Sequence, residues 1–114
     1  FVFLTDNELS HRHRGGRSVE EYVAFSKGAD LLFHDAEYTE EEYAGKRSWG
    51  HSHYREALDL ALAAGVGRFG LYHHNQDRDD AGVDWMVGRC RETVRNLGGS
   101  LDCFGVRQDD EFAL

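Results

Sequence analysis

The stretch Asp30-Leu31-Leu32-Phe33-His34-Asp35 decides the fold class of this chain of 114 residues. Three consecutive apolar residues between polar neighbours are typical of a short strand that is buried on both faces. Similar apolar runs cover residues 1–5 and 68–74, and a weaker one covers residues 101–106. Four such runs predict a hydrophobic sheet at the centre of the molecule.

Segments with helical spacing separate the predicted strands. Ser18 and Glu21 form a capping box before a short helix that Gly28 ends. A second helix is predicted after Ser52, its expected N-cap, and a third after Asp79-Asp80. The apolar stripe of the third helix comprises Val83, Met86, Val87, Cys90, Val94 and Leu97. The order β-α-β-α-β-α-β predicts an α/β fold with largely parallel strands and right-handed crossovers.

The amino-acid composition limits the classes of binding partner and the cellular compartment that we expect for this chain. The aromatic content of 12% excludes a disordered tail, and no apolar run of about 18 residues is present, so we expect no membrane partner. The formal net charge of −8 disfavours nucleic acid as a partner. Cys90 and Cys103 form no disulfide framework, which favours a reducing cytoplasm. Residues 40–42, all glutamate, are expected to be a solvated acidic stretch.

Polar side chains follow three of the predicted strands where each strand ends. Asp6 ends the first, His34-Asp35 ends the second, His73-His74 ends the third, and His51 precedes a helix. Ligands of α/β sheets bind outside the carboxyl ends of the strands, and carboxylates and imidazoles ligate Zn²⁺, Mn²⁺ or Fe²⁺. Each aspartate alone could equally be a turn residue, but three similar strand ends favour a shared site.

Four short motifs occur in order along the chain. They are Thr5-Asp6-Asn7-Glu8, the run from Ala29 to Thr39, Gly50-His51-Ser52 and Leu71-Tyr72-His73-His74. Together they resemble the second half of the metallo-β-lactamase superfamily, in the branch of tRNase Z and related phosphodiesterases. The resemblance covers nearly the whole chain. It implies that residues 1–114 form one segment, the C-terminal half of an αββα domain.

The resemblance also implies a role for individual residues. Asp6 corresponds to the aspartate that bridges two metal ions, and His73 to a late histidine ligand, with His74 as the alternative. Asp35 and His51 correspond to a catalytic pair beside the metals, since a histidine paired with a carboxylate can donate a proton to a leaving alkoxide. The implied cofactors are two divalent ions, Zn²⁺ first and Mn²⁺ or Fe²⁺ as alternatives, and the implied nucleophile is a water that bridges them.

The chain departs from the family at its main metal-binding motif. The signature His-x-His-x-Asp-His is absent, and only His11-Arg12-His13 has its first spacing. Neighbouring Arg14 and Arg17 would oppose a cation, so we interpret this segment as a solvent-exposed loop that could contact an anionic substrate. The chain also opens on Phe1, inside an apolar run. We therefore expect a fragment whose N-terminal half carries the missing histidines.

Two functions follow from these expectations. In the first, the chain is part of a metal-dependent hydrolase of the phosphodiesterase type. The full-length parent would act on a phosphodiester or a small-molecule ester. The isolated chain is expected to bind metal weakly and turn over little. The second is a non-catalytic half-fold that mediates homo-oligomerisation or association with an N-terminal half, because an uncovered apolar sheet face favours association. A flavodoxin-like module ranks last, since no phosphate-cradling glycine loop follows the first strand.

Overall fold

Four parallel strands form one sheet in the order β1-β2-β3-β4. The computed structural model describes residues 1–114. Its strands are β1 (Val2–Leu4), β2 (Leu31–Asp35), β3 (Arg68–Tyr72) and β4 (Asp102–Gly105), each in parallel register with the next. The predicted α/β class and parallel pairing are confirmed, and the strand bounds differ from the apolar runs by one or two residues.

Helices occupy every crossover between the strands. They are α1 (Val19–Ser26), α2 (Glu40–Ala44), α3 (Tyr54–Ala64) and α4 (Asp80–Asn96). Because the strands are added in sequential order and parallel crossovers share one hand, the helices pack on one face of the sheet. None of the four is both long and apolar enough to cross a bilayer.

One local prediction about the second crossover is confirmed and one was wrong. The glutamates of residues 40–42 are exposed, as a solvated acidic stretch should be, and they form the first turn of α2, which Thr39 caps. Negative charge in a first turn is favourable because it faces the positive end of the helix dipole. The N-cap of α3 is His53 and not Ser52. Ser52 is instead buried, and its hydroxyl donates to the carbonyl of Asn7 at 2.6 Å.

The apolar core lies between the sheet and the three longer helices. Leu32 and Phe69 of the sheet are fully buried beneath Leu58 of α3 and Met86 of α4. Burial of each large side chain contributes about 1.5–3 kcal/mol before ordering entropy is subtracted. The predicted stripe of α4 is correct up to Val94, while Leu97 is 66% exposed because α4 ends one residue before it.

The other face of the sheet carries an aromatic cluster. Phe33 lies at its centre, and its ring centroid lies 5.0–6.4 Å from those of five other aromatic residues. These are Phe1, Phe3, Tyr72, Phe104 and Phe112. A glycine at position 70 makes room for the cluster, since a Cβ there would lie 2.7 Å from the Phe33 ring. Phe1 remains 59% exposed, so this face is only partly covered.

A buried carboxylate, Glu8, ties the loop after β1 to the loop before α3. It accepts hydrogen bonds from the Tyr43 hydroxyl at 2.5 Å and from the backbone amides of Ser48 and Gly50 at 2.7 and 3.0 Å. The His13 Nε2 atom lies 2.8 Å from the same carboxylate. Burial by itself raises the pKa of Glu8, but these four partners outweigh it and lower the pKa to about 2. The carboxylate therefore fixes the relative positions of the two loops.

We expect Glu8→Gln to lower the free energy of unfolding by about 2–3 kcal/mol, because an amide replaces the charged acceptor of several hydrogen bonds. Urea unfolding near neutral pH measures the change. Glu20→Gln is the matched control, since Glu20 is exposed and makes no hydrogen bond or ion pair, and it should stay within about 0.5 kcal/mol of the parent.

The difference in free energy of unfolding between the unsubstituted chain and Glu8→Gln should decrease as the pH falls. The folded-state pKa of Glu8 is about 2, whereas the pKa of a glutamate in an unfolded chain is about 4.3. The carboxylate therefore stabilises the fold above the unfolded value, and this contribution is lost as pH falls toward the folded value. The stability difference between parent and Glu8→Gln should shrink over that interval, and a difference that stays constant there would contradict the assignment.

Candidate metal centre

Three residues singled out in the sequence converge at the carboxyl edge of the sheet. Asp6 lies in the loop after β1, His51 in the loop before α3, and His73 directly after β3. One ligand atom from each lies within 4.8 Å of those of the other two. The Asp6 Oδ1 atom is 3.3 Å from His73 Nε2 and 3.9 Å from His51 Nε2. The structure thus brings together two residues that follow strands, Asp6 and His73, and one that precedes a helix, His51.

Two of the three residues adopt an uncommon backbone conformation. The φ angles of Asp6 and His73 are +48° and +57°. Positive φ is rare for a non-glycine residue, and it costs about 1–2 kcal/mol because Cβ approaches the following carbonyl oxygen. Such strain is concentrated at functional sites, where the surrounding structure maintains it. Here both strained residues are the ones that end a strand and present their side chains to the cluster.

The two histidines are arranged in the same way. Their rings stack with centroids 4.3 Å apart and planes 23° apart. His51 Nδ1 lies 2.6 Å from Asp35 Oδ2, and His73 Nδ1 lies 3.3 Å from Glu37 Oε2. Each ring therefore has its Nδ1 near a carboxylate and its Nε2 toward Asp6. A carboxylate at one ring nitrogen leaves the other nitrogen free to act as a metal ligand.

Asp35 is held on several sides by the main chain. Its carboxylate accepts from the amides of Asn7 at 3.3 Å, Glu37 at 3.2 Å and Ser52 at 3.4 Å. Burial raises the pKa of Asp35, and the hydrogen bond with His51 opposes that shift. Burial of His51 alone would lower its pKa, but the carboxylates around it, Asp35 first, outweigh burial and raise it. The pair therefore favours a proton on the His51 Nδ1 atom.

The charges of the cluster fit a divalent cation. Asp6, Asp35 and Glu37 have only the two histidines as ion-pair partners. Glu37 Oε2 and His73 Nδ1 are buried and make no hydrogen bond. Three carboxylates beside two imidazoles leave an excess of negative charge, and oxygen and imidazole nitrogen are the donors that Zn²⁺, Mn²⁺ and Fe²⁺ take.

Other histidines of the sequence lie away from this cluster. His74 turns toward β4, where its Nε2 atom is 3.2 Å from the Val106 carbonyl, so His73 is the one beside Asp6. His34 is fully buried, with Nδ1 2.8 Å from the Asp35 carbonyl and Nε2 3.1 Å from Asn7 Nδ2. These contacts make His34 part of the support for the site and not a donor in it.

Glu37 is the site residue that the sequence reasoning did not assign. It lies two positions after Asp35, within the motif from Ala29 to Thr39. Two residues of an extended chain at this spacing point to the same side, which is the signal that could have identified it. The Arg78 guanidinium donates to the Glu37 carbonyl at 2.8 Å and fixes the backbone there.

Comparison with known proteins relates this segment to ribonucleases, although no protein-family model matches the chain. Ribonuclease Z of Gemmatimonas aurantiaca is 38% identical over 73 residues, which cover 57% of this chain and 23% of the relative. Ribonuclease BN of Escherichia coli is 36% identical over 83 residues, which cover 71% of this chain and 27% of the relative. The chain thus spans about a quarter of the length of the curated relatives it matches. The resemblance to the tRNase Z branch is confirmed, and over this segment the chain is homologous to ribonuclease Z and ribonuclease BN.

Proposed function

We propose that this chain supplies part of the catalytic centre of a metal-dependent hydrolase of the phosphodiesterase type. The observation that carries the proposal is the convergence of Asp6, His51 and His73, with one ligand atom of each within 4.8 Å of the others. Two carboxylates behind the histidine rings support it, because such pairs are typical of metal-binding histidines. The ribonuclease relatives support a phosphodiester as the bond that is cleaved.

Asp6 and His73 are the proposed direct ligands, and His51 is close enough to be a third. When bound, Zn²⁺, or Mn²⁺ or Fe²⁺ in its place, lowers the pKa of a water and polarises a phosphoryl oxygen. Three donors do not complete the coordination of two ions, since each zinc takes about four ligands. We propose that further histidines come from an N-terminal half of the same domain, for which residues 1–114 are the C-terminal half.

Asp35 and His51 form the proposed proton-transfer pair. The Asp35 carboxylate holds the Nδ1 proton of His51 and thereby orients the ring toward a cavity of about 390 Å³ that Glu37, His73 and Trp49 also line. A protonated His51 would donate from Nε2 to the leaving oxygen of a substrate in that cavity. Donation from Nε2 and metal ligation through Nε2 exclude each other, so a single variant separates the two roles.

We expect Asp6→Asn and His73→Gln each to weaken Zn²⁺ binding by about tenfold or more, because each removes a direct ligand. Isothermal titration of the full chain with Zn²⁺ measures the affinity. Asp30→Asn is the matched control, since Asp30 is an exposed aspartate at the opposite end of β2. Unchanged affinity in both site variants would contradict the proposed metal centre.

His51→Gln tests the role of the pair. If His51 is the proton donor, the chain with His51→Gln keeps its Zn²⁺ affinity. In the full-length protein, where the proposed N-terminal half completes the centre, the same substitution lowers metal-dependent hydrolysis of a dinucleoside phosphate, whose alkoxide leaving group needs a proton, by about 10²–10⁴-fold. A loss of Zn²⁺ affinity equal to that of Asp6→Asn would make His51 a ligand and remove it from the proton-transfer role. The unsubstituted chain of residues 1–114 should bind Zn²⁺ weakly and turn over little. Tight stoichiometric Zn²⁺ binding with high turnover in this chain would contradict the proposal that the centre is incomplete.

Glu37→Gln tests the carboxylate behind His73. We expect Zn²⁺ affinity to fall by about 10–100-fold, because the negative charge of Glu37, 3.3 Å from His73 Nδ1, favours a proton on that nitrogen and leaves Nε2 free. The ¹⁵N shifts of the His73 ring report its tautomer independently of turnover, and the Nδ1-protonated form should lose its dominance in this variant. Glu41→Gln, an exposed neighbour without a hydrogen bond, is the control. An unchanged tautomer and affinity would exclude this role for Glu37.

A second candidate function rests on the aromatic cluster of the sheet. Phe1 and Phe3 are 59% and 48% exposed on a face that has no helix layer, which favours an interaction or oligomerisation module. Under this alternative the chain self-associates, and Phe3→Ser shifts it toward monomer in sedimentation velocity runs. A parent chain that stays monomeric at about 100 µM would remove homo-oligomerisation as a function.

A further inference from the structure

Arg78, in the loop between β3 and α4, has a largely buried side chain next to the metal centre. Only 12% of that side chain is exposed. Its Nη2 atom donates to the Glu37 carbonyl at 2.8 Å and to Glu42 Oε1 at 2.5 Å. The Nε atom is buried without a hydrogen bond, so a single nitrogen makes both contacts. These contacts connect the loop between β3 and α4 with the segment that follows β2.

Glu42 is the charged partner that holds Arg78 in place. It is the third residue of α2, and its Oε1 atom also accepts from the Thr39 amide at 2.8 Å in the capping box of that helix. Burial by itself raises the pKa of Glu42, but the hydrogen bonds from the Thr39 amide and from Arg78 outweigh burial and lower it. Of the three glutamates of residues 40–42, only Glu42 forms an ion pair. The guanidinium is therefore fixed against the first turn of α2.

The loop that carries Arg78 begins with His73. It contains a turn in which the Arg78 amide donates to the Asn75 carbonyl at 3.0 Å and the Asp77 amide donates to Asn75 Oδ1 at 2.9 Å. Glu37 contacts both ends of this loop, because its carbonyl accepts from Arg78 and its Oε2 atom lies 3.3 Å from His73 Nδ1. The contacts thus form a closed path from His73 through the turn to Arg78, to Glu37 and back to His73.

Gly82 leaves the space that the Arg78 side chain occupies. It lies near the start of α4, and a Cβ at this position would be 2.8 Å from Arg78 Cγ, 3.4 Å from Arg78 Cδ and 3.2 Å from Asp79 Oδ1. Glycine is unfavourable inside a helix, so helix propensity alone would favour alanine at this position. The glycine is explained by the room that the conformation of Arg78 requires.

We propose that Arg78 is a positioning residue of the metal centre, because its bond to the Glu37 backbone keeps the Glu37 carboxylate beside His73 Nδ1. The carboxylate then favours a proton on Nδ1 and leaves His73 Nε2, which lies 3.3 Å from Asp6 Oδ1, free for a metal ion. Arg78 does not line the cavity that contains His51 and His73, so it acts through Glu37 and not on a substrate. The consequence for metal binding rests on the proposed function, whereas the effect of Arg78 on the His73 ring does not.

The first test measures the ring tautomers of His73 and His51 from their ¹⁵N shifts in the metal-free full chain, at a pH where both rings are neutral. Arg78→Gln should reduce the Nδ1-protonated form of His73. It should leave the tautomer of His51 unchanged, because a different carboxylate lies at His51 Nδ1. A general loss of structure would alter both rings. Arg89→Gln is the matched control, since it removes an exposed arginine that also pairs with one glutamate, and it should alter neither ring.

Two further variants separate the position of Arg78 from its charge. Arg78→Lys keeps the charge, and a lysine ammonium can replace the arginine because one nitrogen makes both contacts, so the His73 tautomer should return most of the way to that of the unsubstituted chain. Gly82→Ala keeps the charge and every polar group but displaces the Arg78 side chain, so the tautomer should shift as in Arg78→Gln, to a smaller extent. Gly88→Ala is the control in the same helix, since a Cβ there meets nothing within 4 Å.

Isothermal titration of the same variants with Zn²⁺ measures the consequence for the metal. Arg78→Gln should lower Zn²⁺ affinity by about tenfold, because residues that orient a ligand typically affect metal affinity by about 10–100-fold. Arg78→Lys should lower it by less than about threefold, since the contact with the Glu37 backbone is kept. Arg89→Gln and Gly88→Ala should leave it unchanged. Thermal unfolding confirms that each variant is folded.

Two outcomes would overturn the positioning role of Arg78. The first is an unchanged His73 tautomer in Arg78→Gln, and the second is an equal change in the rings of His73 and His51, which would indicate a purely structural role. The failure of the metal centre has a different signature. If Arg78→Gln shifts the His73 tautomer while Asp6→Asn and His73→Gln leave Zn²⁺ affinity unchanged, the proposed metal centre fails and the positioning role of Arg78 stands.

Discussion

The geometry of the site depends on one buried carboxylate. Glu8 accepts from a tyrosine hydroxyl and two backbone amides, and it contacts a histidine ring, at distances of 2.5–3.0 Å. Removing a carboxylate from water is costly unless such partners replace its hydration, and here they do so well enough to lower its pKa. Three of these four partners lie 35 to 42 residues from Glu8 in sequence. Asp6 lies two residues before this anchor, and His51 follows directly after Gly50, which donates to it.

The metal centre also contains buried carboxylates, but they differ in how many hydrogen bonds they accept. Asp35 is satisfied by three amides and one imidazole, so it orients His51 without needing a cation. Glu37 has no comparable set of donors, and its Oε2 atom is buried beside His73 Nδ1 without a hydrogen bond. A satisfied carboxylate stabilises the fold, whereas an unsatisfied one leaves negative charge for a ligand to neutralise. This contrast is why the cluster supports a cation site and the Glu8 network does not.

The sequence predicted the fold well because its signals are local. Apolar runs, the capping box at Ser18 and the glycines that end helices act within a few residues, and they place three of the four helices and all four strands. The N-cap of α3 was wrong because Ser52 is taken by a distant loop, through the Asn7 carbonyl and the Leu9 amide. No local pattern reveals such a contact. Strand ends predicted that Asp6 and His73 lie together because parallel strands end at a common edge, whereas His51, which precedes a helix, reaches them through its loop. The spacing of Glu37 from Asp35 indicates a shared side, but its contact with His73 is seen only in the structure.

The carboxylates of the metal centre differ in how they meet a substrate. Glu37 lines the cavity of about 390 Å³ beside His51 and His73, Asp6 lines a neighbouring cavity, and Asp35 is fully buried. A phosphodiester in the first cavity would lie close to the negative charge of Glu37, and like charges a few ångströms apart repel by about 1 kcal/mol or more even in water. Divalent cations at Asp6 and His73 would remove that repulsion. Under the proposed function, metal and phosphodiester must therefore strengthen each other's binding, and thermodynamic linkage requires the two effects to be equal.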